Sequence, residues 1–270
     1  MLAPLYALVS YPVSAILWFW YRLAGTVLDP GGGASWALAV VLLVLTLRVL
    51  LVPLARAQLR SGRAMAALQP QISALRTRHA GDRQAFAVAL QQLQREQGVS
   101  PLGGCLPALA QIPVFLGLLH VLHGFTAGGT DYVFGAADVD SFRHARLSAA
   151  PLAAYVRMPA AQLAAYGVDR WQVAAVAIPL AALAALATYL TGRHALRRTP
   201  PADSRSALVG RLTLYVLPAS ALIGGVLFAF PVVILLYWLA NNACTAVQQA
   251  LLHRHLDRAD PDGADPDRAD

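Results

Sequence analysis

The sequence predicts an all-α polytopic membrane protein, and three observations carry the prediction. The 270 residues are 57% hydrophobic and only 13% charged, whereas soluble domains carry about 25% charged residues. Apolar runs recur at 36–54, 101–125, 171–191 and 212–252, and a membrane span needs roughly 20 residues. The basic charge is all arginine, with no lysine, and it gathers in particular connections between those runs.

The first segment, 1–34, is read as an extracytoplasmic interfacial helix and linker. Residues 5–28 are apolar enough for a signal peptide or a further span. The missing basic start and the position of Arg22 near the end favour a helix at headgroup level, anchored by Trp18, Trp20 and Tyr21 and ended by Pro30-Gly31-Gly32-Gly33. Span one, 36–54, carries Arg48. A guanidinium stays charged at any working pH, and at membrane depth it costs roughly 3 kcal/mol unless water reaches it. Arg48 therefore implies a wet cavity. The other reading bends its side chain to the cytoplasmic interface, although it lies about 18 Å past Trp36 along a helix.

Residues 56–98 read as a cytoplasmic helical hairpin. Met65, Leu68, Ile72 and Leu75 form one apolar stripe and Phe86, Leu90 and Leu93 another, with a turn at 79–82 and Asp82 as N-cap. Span two, 101–125, leads to an extracytoplasmic loop at 126–169, whose apolar pieces at 147–155 and 160–166 predict short surface helices. Span three is 171–191. The long run after it is broken by Pro218, Gly224-Gly225 and Pro231, giving spans at 212–228 and 231–252 and five in total. The core covers 35–255, and the acidic tail, 256–270, reads as disordered.

Arginines 56, 60, 63, 76, 78, 83 and 95 follow span one, and 193, 197, 198, 205 and 211 follow span three. By the positive-inside rule these connections face the cytoplasm, which places the N-terminus outside and the C-terminus inside.

All fourteen Asp and Glu fall outside the spans, which argues against a proton- or cation-coupled transporter. Phosphate loops, HExxH and nucleophile elbows do not occur, so neither ATPase nor protease chemistry has a basis. Cys105 and Cys244 lack metal or redox spacing and read as small buried side chains. No cofactor, metal or catalytic residue is expected.

Three pieces then match a known family: 97–119 (QGVSPLGGCLPALAQIPVFLGLL), 46–54 (TLRVLLVPL), and Tyr237-Trp238 followed by Asn242 and Gln248. In order and spacing the chain resembles the YidC/Oxa/Albino membrane insertases, in the short form without a large extracytoplasmic domain. The resemblance implies five helices around a hydrophilic groove, where a single arginine attracts the acidic tail of a substrate membrane protein. The substrate's own span then slides into lipid without nucleotide hydrolysis. Arg48 matches the groove arginine, Trp238 a groove aromatic, and Gln111, Asn242 and Gln248 shared polar positions. Packing alone is the other reading of Trp238, and interhelical hydrogen bonding that of Gln248 and Asn241. Where the family pattern has glutamine near the end of span three, this chain has Thr191, so Thr188 and Thr191 are the substitute hydroxyls.

The implied partners are newly made membrane proteins, lipid, the Sec translocon and the ribosome or signal-recognition pathway, in a bacterial cytoplasmic membrane. The acidic tail repels ribosomal RNA, which argues against direct ribosome anchoring through it; no nucleic-acid readout is expected, and the resemblance favours a functional monomer. An accessory chaperone of the translocon and a small-solute channel are the alternatives.

Overall fold

The computed structural model describes residues 3–99, 106–126, 132–198 and 204–259. Residues 101–105, 127–131 and 260–270, with Cys105 and most of the acidic tail, lie outside the described residues. The described chain is helical apart from one short hairpin. Helix α1 (Ala3–Ala24) is followed by α2 (Gly33–Leu50), α3 (Val52–Ala67), α4 (Gln69–Arg78), α5 (Arg83–Glu96) and α6 (Leu106–Thr126). A small cap comes next, made of α7 (Ala136–His144), strands β1 (Arg146–Leu147) and β2 (Ala150–Pro151), and α8 (Ala160–Ala165). Helices α9 (Arg170–Arg198), α10 (Ser204–Leu227) and α11 (Val232–Ala259) complete the chain.

Among the described residues, Gly33–Leu50, Arg170–Arg197 and Ala207–Leu227 are long and apolar enough to cross a membrane, and Gln111–Phe125 is a shorter apolar helix. Their packing suits lipid rather than water. On α2, Trp36, Ala39, Val40, Leu43 and Val44 are buried at helical spacing, while Leu38, Leu45 and Val49 are exposed on the other side. An apolar helix with a second apolar face turned outward is what a bilayer accepts and water does not. Helix α10 is the extreme case: it packs on α9 and exposes Leu208, Val209, Leu212, Val216, Leu217 and Ile223. Small residues set the close approach: a Cβ at Gly225 would lie 3.0 Å from both Ala181 Cβ and Leu235 Cδ2, as expected where helices associate through small side chains.

The first long helix ends earlier than the hydropathy suggests. It stops at Leu50, Leu51 takes φ −90° and ψ 4°, and α3 starts with Pro53 in its first turn. Proline has no N–H to continue the α2 ladder, so Arg48 sits in the last turn of α2 instead of mid-helix. Proline also divides the hairpin's first arm: Pro70 opens α4 after the break at Leu68. Helix α4 still packs on α5, and Arg76 lies 5.6 Å from the Phe86 ring centroid. Asp82 caps α5, its Oδ1 accepting from Gln84 N at 3.0 Å and Ala85 N at 2.9 Å. Asp82→Ala is expected to cost about 1 kcal/mol, read as faster amide exchange in the first turn of α5.

Trp20 and Tyr21, expected at headgroup level, turn inward. Trp20 Nε1 donates to Thr46 Oγ1 at 2.8 Å, and Tyr21 stacks on Trp36 with centroids 4.0 Å apart. Ser10, Val13, Ser14, Leu17, Tyr21 and Ala24 form a buried stripe along α1. Small residues let it approach α6, where a Cβ on Gly117 would stand 3.5 Å from Ser10 Cα.

In the cap, 147–155 is not a helix as expected. It contains the β1–β2 pairing, Arg146 with Pro151 and Leu147 with Ala150, and then a buried turn at 151–154, closed by Ala154 N donating to Pro151 O at 3.0 Å. That turn satisfies the start of α11: Val232 N donates to Ala154 O at 2.9 Å and Val233 N to Leu152 O at 3.1 Å. The first N–H groups of any helix need such partners. Trp36, fully buried, sits among Tyr21, Phe125, Phe134 and Phe142, and its Nε1 donates to Ser141 Oγ at 3.1 Å. This aromatic cluster closes one end of the bundle.

Candidate functional site

Arg48 crosses from α2 to α11, two helices that pack on each other. Its Nη2 donates to Thr245 Oγ1 at 2.6 Å, to Asn241 Oδ1 at 2.8 Å and to Asn241 O at 3.3 Å. Its Nη1 donates to Gln248 Oε1 at 3.4 Å. Thr245 Oγ1 in turn donates to Asn241 O at 2.7 Å, which turns its lone pairs toward the guanidinium. Asn241, Thr245 and Gln248 are spaced i, i+4 and i+7, so one face of α11 presents all three. The side chain therefore turns into the bundle. Every one of these acceptors is neutral, so the site solvates a positive charge without cancelling it. Two buried donors, Arg48 Nε and Gln248 Nε2, have no partner among the described residues, and a buried unpaired donor costs about 1–3 kcal/mol.

Thr245→Val keeps the side-chain volume and deletes the shortest of these bonds. A loss of about 1 kcal/mol is expected, a fall of about 2–4 °C in thermal midpoint in detergent for a chain of this size.

The remaining site residues divide. Gln111 on α6 donates through Nε2 to Tyr237 OH, and Trp238 stacks on Phe115 with centroids 6.1 Å apart and planes at 15°. Phe115 also lies 6.1 Å from Tyr237, and Trp238 lies 5.2 Å from Phe230. Side chains thus bridge α6 and α11 from Tyr237 to Phe230. Asn242 points elsewhere: its Nδ2 donates to Ala184 O at 3.3 Å and ties α11 to α9. Thr188 and Thr191 return their hydroxyls to Ala184 O and Ala187 O at 2.9 and 2.8 Å, the bond to the preceding turn that a threonine in a helix readily makes. Thr188 borders a 260 Å³ cleft between α9 and α10. These three residues are not brought to Arg48. Thr245 is not among the residues the sequence points to, and Asn241 enters there only as an interhelical hydrogen-bonding residue. Their spacing with Gln248 on one helical face was the available signal.

Apolar helices with faces turned outward, with an arginine solvated by neutral side chains where two of them meet, define a multi-pass membrane protein with a polar site between its helices. Residues 27–259 match the family described as 60Kd inner membrane protein. The chain is 42% identical over 260 residues to the membrane protein insertase YidC of Mycobacterium tuberculosis, covering 89% of this chain and 70% of that protein. It is 40% identical over 272 residues to that of Mycobacterium leprae, covering 94% and 71%, and 31% identical over 256 residues to that of Streptomyces avermitilis, covering 94% and 59%. The chain belongs to the 60Kd inner membrane protein family, among the YidC-type insertases.

Proposed function

We propose that this chain inserts membrane proteins by drawing the acidic tail of a substrate to Arg48 and releasing the substrate's span into lipid. The observation that carries the reading is a permanent charge held only by neutral acceptors, with two buried donors beside it unpaired. A carboxylate is the complementary ligand: it offers the planar fork two parallel N–H···O bonds together with an opposite charge, and low-dielectric surroundings strengthen that attraction. It displaces Asn241 and Thr245 from the guanidinium and takes up Nε. In this reading α2, α6, α9, α10 and α11 are the five spans, the arginine-rich hairpin α3–α5 and the C-terminus lie in the cytoplasm, and the cap lies outside. Gln111, Trp238 and Gln248 line the substrate path. Transfer of the substrate's span into lipid, at about 25 cal/mol per Å² of apolar surface, supplies the downhill step without a nucleotide.

The test is reconstitution of the purified protein alone in liposomes, with a single-span substrate bearing an acidic tail and no nucleotide. Protease protection of the tail is the expected result. Protection that appears only after the translocon is added sinks independent insertion and leaves an accessory chaperone.

A further inference from the structure

The cap encloses a second feature, at the opposite end of the α6–α11 seam from Arg48. A cavity of about 650 Å³ opens between α6, the cap and the α10–α11 turn, with Pro231 on its border. That volume lies within the range of about 300–1,000 Å³ typical of ligand sites. Pro231 precedes Asn241 by ten residues, about 15 Å along a helix. The fixed charge of the cavity wall is net positive: Arg143 and Arg146 line it beside a single carboxylate, Asp140, and His123 and His144 add to that charge only when protonated, His144 Nδ1 lying 3.5 Å from Asp140 Oδ1. Arg143 and Arg146 are both exposed, and Arg146 is held in place by donating to Tyr166 O at 2.5 Å.

We infer that this cavity is a receiving site for the acidic peptide tail of a substrate, a second cationic station beyond Arg48. The inference rests on the insertase reading and extends it to the far side of the membrane. A tail that leaves Arg48 along the side chains bridging α6 and α11 arrives at this cavity. Its carboxylates lose one positive partner and gain another. The cavity slows backsliding by holding the tail while the substrate's span moves into lipid.

The experiment uses the full chain in liposomes, with a photo-crosslinking aromatic residue at Tyr155, in the cavity wall, or at Trp238 on the inner path. Substrates carry an acidic tail or its Asn/Gln counterpart, and vesicles are either purely zwitterionic or contain anionic lipid. The acidic tail is expected to crosslink first at 238 and then at 155. Arg143→Glu should cut the crosslink at 155 and the yield of protected acidic tail by about two- to five-fold, the scale of one exposed charge pair. The neutral tail should be unaffected, Arg143→Lys should restore the wild-type value, and both vesicle types should behave alike. A tail that crosslinks at 238 but never at 155 overturns the receiving site and leaves the insertase reading standing. Absence of crosslinks at both positions removes the insertase reading, and this inference with it. An effect of Arg143→Glu that follows the lipid charge and ignores the tail charge assigns the cavity to a lipid phosphate and overturns the peptide site.

Discussion

Arg48→Glu is expected to lower insertion of an acidic-tailed substrate by at least about tenfold, which corresponds to about 1.4 kcal/mol. The substitution does two things at once. It replaces attraction with repulsion for the incoming carboxylate, and it sets a carboxylate against Asn241 O and Gln248 Oε1, acceptors that had faced donors. Arg48→Lys keeps the charge and three donors, though not the fork that reaches Asn241, Thr245 and Gln248 together, so it should retain much of the activity. Protected substrate tail per unit of folded protein, in liposomes holding equal amounts of each variant, is the measurement. Wild-type yield from Arg48→Glu would end the electrostatic mechanism.

Trp36→Ala is expected to give the largest loss of stability, about 3–5 kcal/mol. Trp36 is fully buried, stacks on Tyr21 at 4.0 Å and meets Phe142 at 5.1 Å. Truncation empties the middle of the cluster that joins α1, α2, α6 and α7, and it deletes the donor to Ser141 Oγ. Tyr21 OH still donates to Ser141 Oγ at 2.9 Å, so the cap stays tethered while it loosens. A thermal midpoint in detergent lowered by 6 °C or more, at about 2–4 °C per kcal/mol, is the expected readout. An unchanged midpoint would mean that the cluster does not hold the cap to the bundle.

Much of the arrangement was legible in the chain because membranes impose one-dimensional rules. A spanning helix must satisfy its own backbone, so span-length apolar runs mark α2, α9 and α10 without reference to neighbours. Asp82 as a helix cap was equally local, since its side chain bonds amides two and three residues on. What a residue faces is another matter. Thr188, Thr191 and Asn242 carry the polar groups a groove needs, yet the rotation of α9 and α11 spends them on Ala184 O and Ala187 O. Thr245 looked unremarkable and holds the shortest bond to the arginine. Hydropathy ran straight through Leu51, because an apolar average does not register that Pro53 lacks an amide proton.

By itself, then, the sequence determined that this is a helical membrane protein with one charge in an apolar helix and no carboxylate in any predicted span. Those are properties of composition and spacing. Only the tertiary structure decided that Arg48 turns to α11, that α1 packs along α2 and α6, and that the loop after α6 folds into a cap on the first amides of α11. Such pairings join residues as far apart as Arg48 and Gln248. They depend on how helices rotate and stack, which no local pattern encodes.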